Sequence, residues 1–175
     1  MKKLLLFLTL LSTIELFGQQ QDTLRIEQHY YYLADIDPRT IAERFMNDEL
    51  LPSDNFISFR VLDSLTSTNT STRKFYLPVF NKIVRHADGA LAEVIGSPII
   101  EFLKNYPTEF AHTIKSNELF ELYSNFAAYE LHFSENYKSD LTEIEQAAKD
   151  NYRPYTESEL IRNFLETTAN KVEKI

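Results

Sequence analysis

The sequence predicts an all-α fold: a single-domain stack of about seven or eight short antiparallel helices, preceded by an extended N-terminal arm. Three observations carry this. Apolar residues recur at three- and four-residue spacings along most of the chain after Asp37. Of the three glycines, only Gly89 and Gly96 lie beyond residue 18, so the glycine-dependent hairpins of a sandwich or barrel are scarce. Capping residues and prolines precede several of the apolar stripes.

Composition sets the outer limits. The chain has 175 residues, 43% hydrophobic and 25% charged, enough for one domain to bury a sizeable core. A formal net charge of −8 gives no global electrostatic case for binding nucleic acid. With no cysteine there are no disulfides, thiolate metal sites, cysteine nucleophile or lipidated cysteine anchor.

Residues 1–18 read as a signal peptide. Lys2 and Lys3 form a basic start, and Leu4 to Leu11 is an almost unbroken apolar run. The apolar stretch through Phe17 is short for a span of about 20 residues, and Glu15 interrupts it. Cleavage is expected after Gly18. The basic start, the Leu/Phe core and the Gln run that follows resemble signals of Bacteroidetes-type bacteria, which implies a periplasmic or secreted bacterial protein. An exported chain without cysteine must draw its stability from its core. Residues 19–34 form the predicted arm, in which Leu24, Ile26 and Tyr30-Tyr31-Tyr32 suit an extended segment. Residues 35–175 form the helical domain.

Within that domain Asp37-Pro38 opens the first helix, with Ile41, Ala42, Phe45 and Met46 on one stripe. Ser53 opens a second, carrying Ile57, Val61, Leu62 and Leu65. The polar run Ser64 to Thr72 reads as a connection. A third helix, Arg73 to Ala87, carries Phe75, Tyr76, Val79, Phe80, Ile83 and Val84, with Pro78 expected to kink it or mark its start. Asp88-Gly89 is the stop, predicting a positive φ at Gly89 and an antiparallel hairpin with the next helix. That helix, Ala90 to Tyr106, carries Leu91, Ile95, Ile99, Phe102 and Tyr106, with Pro98 inside it. Pro107 starts a short helix with Phe110, Ala111 and Ile114. Asn117 is the expected cap of the next, whose stripe is Leu122, Phe126, Tyr129 and Phe133. Asp140 to Lys149 turns Leu141, Ile144 and Ala148 inward. Thr156 and Glu159 form a capping box ahead of Leu160, Ile161, Phe164, Leu165 and Val172. Leu77-Pro78-Val79-Phe80 is echoed by Ser97-Pro98-Ile99-Ile100. Together with the short connections, this resembles HEAT-type α-α solenoids, so the expected architecture is a bundle or a short helical repeat.

No motif of catalysis stands in the chain. His29, His86, His112 and His132 form no HxH, HxxxH or HExxH, and GxSxG, SxxK, GxGxxG and P-loop patterns are absent. One ExxH, Glu109 to His112, lacks the second copy that a di-iron bundle requires. Asn69-Thr70-Ser71 is a glycosylation sequon that a bacterial origin leaves idle. The predicted cofactor and metal complement is therefore none. Tyr30, Tyr31 and Tyr32 cannot all face inward from one element and are candidates for partner contact. His86 and Asp88, at a helix end, are the other candidates. The expected function is an exported, non-catalytic protein-interaction domain, with another protein as partner, no nucleic acid and no stable membrane insertion after signal removal. The alternatives are a small apolar ligand carrier with an enclosed cavity, or a hydrolase of dispersed residues with His86 as base.

Overall fold

Several helix starts differ from expectation. The helix expected from Arg73 begins at Thr70 and the one expected from Asp140 at Tyr137, each three residues early, and Ser116 rather than Asn117 precedes the helix that follows it. The computed structural model describes residues 37–52, 56–151 and 158–175, without the side chains of residues 56 and 57. The signal peptide, the arm, Tyr30 to Tyr32, the Ser53 cap, the Ile57 side chain and the Thr156 capping residue lie outside the described residues. Those described from Pro38 onward belong to one compact unit. Its elements are α1 (Pro38–Met46), α2 (Phe56–Asp63), a 3-10 turn (Ser64–Thr66), α3 (Thr70–His86), α4 (Gly89–Asn105), α5 (Pro107–Thr113), α6 (Asn117–His132), α7 (Tyr137–Asn151) and α8 (Ser158–Val172). Among the described residues every regular element is helical.

The polar run 64–72 is only partly a connection. Asn69 takes extended backbone angles, and its side-chain oxygen accepts from the backbone N–H groups of Ser71 and Thr72 at 2.9 and 3.1 Å. That satisfies two of the four donors a helix start leaves unpaired, so α3 begins three residues before Arg73. Pro78 and Pro98 both sit inside continuous helices.

Helices α4, α6, α8 and α7 form a four-helix ring, each packing on the next, with α4 closing on α7. Gly96 of α4 meets α6 at Phe126 and Glu130, and Phe102 leads through Phe110 to Tyr123. These fix α4 antiparallel to α6. Lys171 reaches Glu121 and Ser124 while Phe164 lies on Phe120, so α8 runs parallel to α6. Tyr137 meets Glu173 near the start of α7, and Asn151 at its end donates to the Lys104 carbonyl. Helix α7 is thus antiparallel to α8 and parallel to α4. The arrangement is a bundle, and two of its neighbouring pairs are parallel rather than antiparallel.

A buried aromatic cluster fills the middle of this ring. Phe110, from the short α5, contacts Phe102, Tyr123 and Phe164 with centroids 5.8, 5.8 and 4.9 Å apart. All four rings are almost completely buried. Each such side chain removes about 150–250 Å² from water, which makes this cluster the main apolar contribution to the unit.

Helix α6 buries a different face from the one its large residues suggested. Leu119, Tyr123, Ser124, Ala127, Ala128 and Leu131 are buried; Leu122, Phe126 and Tyr129 are half-buried, and Phe133 is 70% exposed. The reason is crowding. Helix α6 is pressed by α3, α4 and α8 together, and small residues let their backbones come close. Gly96 shows how close: a Cβ there would lie 2.5 Å from both the Phe126 carbonyl oxygen and the Glu130 Cβ.

Helices α1, α2 and α3 form a second layer, laid on the ring through α3 against α6 and the 3-10 turn against α4. Asn81 and Arg85 of α3 meet Tyr123 and Glu118 of α6, an antiparallel crossing. Gly89 does adopt a positive φ of 48°. It is the first residue of α4 rather than the residue after α3, whose end is set by the extended Ala87. The expected hairpin is not formed: α3 and α4 share no extensive packed face, and each lies instead on α6.

Candidate functional site

The predicted His86–Asp88 corner is built as a helix joint. His86 is exposed, and its Nδ1 lies 3.0 Å from the Lys82 carbonyl one turn back in its own helix. Asp88 precedes α4 with extended angles and makes no side-chain capping bond. Lys82 is the active member of this corner. Its ammonium donates to the Met46 carbonyl at 3.0 Å and pairs with the Asp48 carboxylate at 2.6 Å, tying α3 to the end of α1. Asp48 has φ of 59°, with Asp48 N–H donating to Phe45 O and Glu49 N–H to Arg44 O. This is a Schellman end with aspartate in the left-handed position usually held by glycine. The hydrogen bond and charge of Lys82 hold the Asp48 carboxyl below its ordinary pKa, with a smaller contribution from His86. A general base needs a nucleophile to serve, whereas the bond the His86 ring makes here is to backbone. The structure gives His86 and Asp88 a place in the joint, and Tyr30, Tyr31 and Tyr32 lie outside the described residues.

Two polar constellations escaped the sequence reading. The first centres on Arg73, 5% exposed at the first turn of α3. Its guanidinium donates to both carboxylate oxygens of Glu109 on α5, at 2.6 and 3.1 Å, and to the Ser67 carbonyl at 2.6 Å. The Tyr106 ring lies 3.6 Å from the guanidinium carbon, and its hydroxyl donates to the Thr66 carbonyl at 3.3 Å. Glu109 raises the arginine's already high pKa, and four of the five donors of the planar fork go to Glu109, Ser67 and Thr70. The group clasps the 3-10 turn, α3 and α5 together. No local signal marks this pair, because Arg73 and Glu109 are 36 positions apart.

The second constellation is Ser124 with Lys171, whose ammonium lies 2.7 Å from the hydroxyl oxygen. A serine–lysine nucleophile would require an accessible serine and a lysine free to take its proton. Here Ser124 is fully buried and donates to the Glu121 carbonyl, while Lys171 is paired with the Glu121 carboxylate at 2.8 Å. The arrangement fastens α8 to α6. Among the described residues no group of three or more His, Asp or Glu is placed to hold a metal ion.

What remains open to solvent is a slot between α2, the 3-10 turn and α4. Phe59, Leu62, Val94 and Pro98 supply its apolar lining, and Asp63, Thr66, Ser97 and Glu101 its polar lining, around about 330 Å³. Its back wall is core: Leu62 is 2% exposed and Leu65 beneath the turn is fully buried. Across the α4 ridge a second groove of about 270 Å³ shares Ser97 and Glu101 and continues to Lys104, Glu130, Asp140 and Glu143. Burial raises the Glu130 carboxyl above its ordinary pKa. The sequence reading noted Val61, Leu62 and Leu65 as core but had no means of seeing the slot. It arises where α2 and α4, distant in sequence, touch over only a few residues.

Among the described residues no helix is long and apolar enough to cross a membrane. No protein-family model matches the chain, and neither a curated protein nor a solved structure gives a match.

Proposed function

We propose that this chain is an exported bacterial protein that works without catalysis, by docking a segment of another protein in the slot between α2 and α4. The slot is the observation that carries the reading. Apolar surface is left solvent-accessible there by Phe59, Val94 and Pro98, over a wall anchored in the core, and a rim of polar side chains surrounds it. Apolar patches rimmed in this way are typical of interaction sites. The basic start and apolar run of residues 1–18 support export. The carrier alternative draws no support from the bundle interior, where the Phe102, Phe110, Tyr123 and Phe164 rings occupy the space between helices. The hydrolase alternative rests on His86, whose ring bonds to its own helix.

A photocrosslinking residue at Ser97, exposed on the α4 ridge, tests this in the cell that makes the protein. The reading expects one discrete adduct, absent when the same residue is placed at the exposed Asn170 of α8 and lost when Val94→Arg blocks the slot. No adduct, or the same adducts from both positions, would contradict it.

A further inference from the structure

Resting on that docking reading, we infer that the slot's partner is a basic amphipathic helix: apolar side chains enter between α2 and α4 while lysines or arginines lie across the α4 ridge. Two observations point to this chemistry. The side chains lining the slot and the adjoining groove include five carboxylates, Asp63, Glu101, Glu130, Asp140 and Glu143, and a single ammonium, Lys104. Lys104 is already paired with Glu101 at 2.9 Å. The lining therefore keeps a net negative charge, with Asp63 on the α2 wall and Glu130, Asp140 and Glu143 on the far side of α4. Glu130 is half-buried, and a cation laid beside it would offset the burial that raises its carboxyl pKa.

The shape points the same way. Among the described residues there is no strand, hence no sheet edge for an extended peptide to lengthen. A helix laying its apolar face in a groove is the mode that suits such a surface. A slot of about 330 Å³ takes one or two large apolar side chains, not a whole helix. The rest of such a partner would lie over Ser97 and Glu101, the residues the two grooves share. A second copy of this chain fits poorly, because its formal net charge is −8. The exposed Phe133, whose ring contacts among the described residues are with Tyr129 and His132, offers apolar surface without this charge pattern.

Fluorescence anisotropy of two labelled helical peptides against the full chain tests the inference. Both carry leucine at i, i+3, i+4 and i+7, one with lysines on the remaining face and the other with glutamates. The lysine peptide should bind at least about tenfold more tightly, with affinity falling as salt rises. Val94→Arg should abolish binding, and Glu101→Lys should weaken it about tenfold while leaving the circular dichroism spectrum unchanged. Pro98→Lys serves as a second block of the slot if Val94→Arg does not fold. Equal binding of the two peptides that is still lost in the slot variants would overturn the basic partner and leave the docking reading intact. Failure of both peptides to bind, or binding of the lysine peptide untouched by the slot variants, would overturn the inference. In the latter cases the Ser97 crosslinking result decides separately whether the docking reading survives.

Discussion

The ring of α4, α6, α7 and α8 and the layer of α1, α2 and α3 are both helical, yet they are held by different forces. The ring closes on buried aromatic rings and on small residues that bring α4 and α6 together at Gly96. The layer has buried apolar residues of its own, such as Ile41, Phe45, Val61 and Ile83. Its contact with the ring, however, includes polar pairs of α3 on α6, Arg85 on Glu118 and Asn81 on Tyr123, while Lys82 on Asp48 and Met46 ties α3 to α1 within the layer and Arg73 on Glu109 ties α3 to α5. Grooves open in both places: one of about 270 Å³ between α4, α6 and α7 of the ring, and the slot of about 330 Å³ where the layer meets α4. The α2–α4 slot lies along the seam between the two regions, and of the two grooves it has the more apolar lining, from Phe59, Leu62, Val94 and Pro98.

The sharpest way to break the comparison is Phe110→Ala, which removes the ring joining α4, α6 and α8. It should cost about 3–5 kcal/mol in chemical denaturation and weaken both regions together. Arg73→Ala should cost less, about 2–3 kcal/mol, because the Glu109 it leaves unpaired is partly exposed. Its effect should be regional. Hydrogen exchange should rise in α1 to α3 and remain slow in α6 and α8, and Arg73→Lys should not restore the fork.

Tyr123→Phe sharpens the comparison at the point where ring and layer meet. Burial pushes the Tyr123 phenol's pKa up, so the hydroxyl stays protonated and donates to Asn81 Oδ1 at 2.6 Å. Losing it should cost about 1–2 kcal/mol by thermal or chemical unfolding, with no change in fold. Gly89→Ala should cost about 1 kcal/mol, entirely from its positive φ, since no atom lies within 4 Å of the added Cβ.

The smallest effect has a sign fixed by pH. Burial raises the Glu130 carboxyl, so its folded pKa lies above its unfolded one and its charge opposes folding at neutral pH. Glu130→Gln should therefore stabilise slightly at pH 7, by up to about 0.5 kcal/mol. The gain should fade as pH falls through the raised carboxyl pKa, where the native glutamate is itself neutral. Unfolding curves of the two proteins across that range check it.

Much of this fold can be read from residue spacing, and the parts that cannot have physical reasons. Leu91, Ile95, Ile99 and Phe102 mark α4 correctly because a helix with one apolar face repeats it every turn. Helix α6 misleads because its tight contacts use Ser124, Ala127 and Ala128, which carry little apolar signal, while the conspicuous Phe133 faces out. Asn69 is a cap residue by type, but it stands in a run of Ser and Thr that reads as a connection, so the apolar stripe starting near Phe75 places the helix start too late. Arg73–Glu109 and the slot depend on helices meeting across long stretches of sequence, and no local pattern encodes that. His86 and Asp88 were found where a helix end was expected, and the chemistry there belongs to Lys82.

The most direct test of the slot is a titration of the isotopically labelled protein with the lysine-bearing helical peptide, followed by amide and methyl chemical shifts. The shifts should change around Phe59, Leu62, Val94, Ser97 and Glu101 and fade toward α8. Changes centred on Phe133 or the His86 joint, or none at a peptide concentration that saturates the anisotropy signal, would contradict a docking site at the seam.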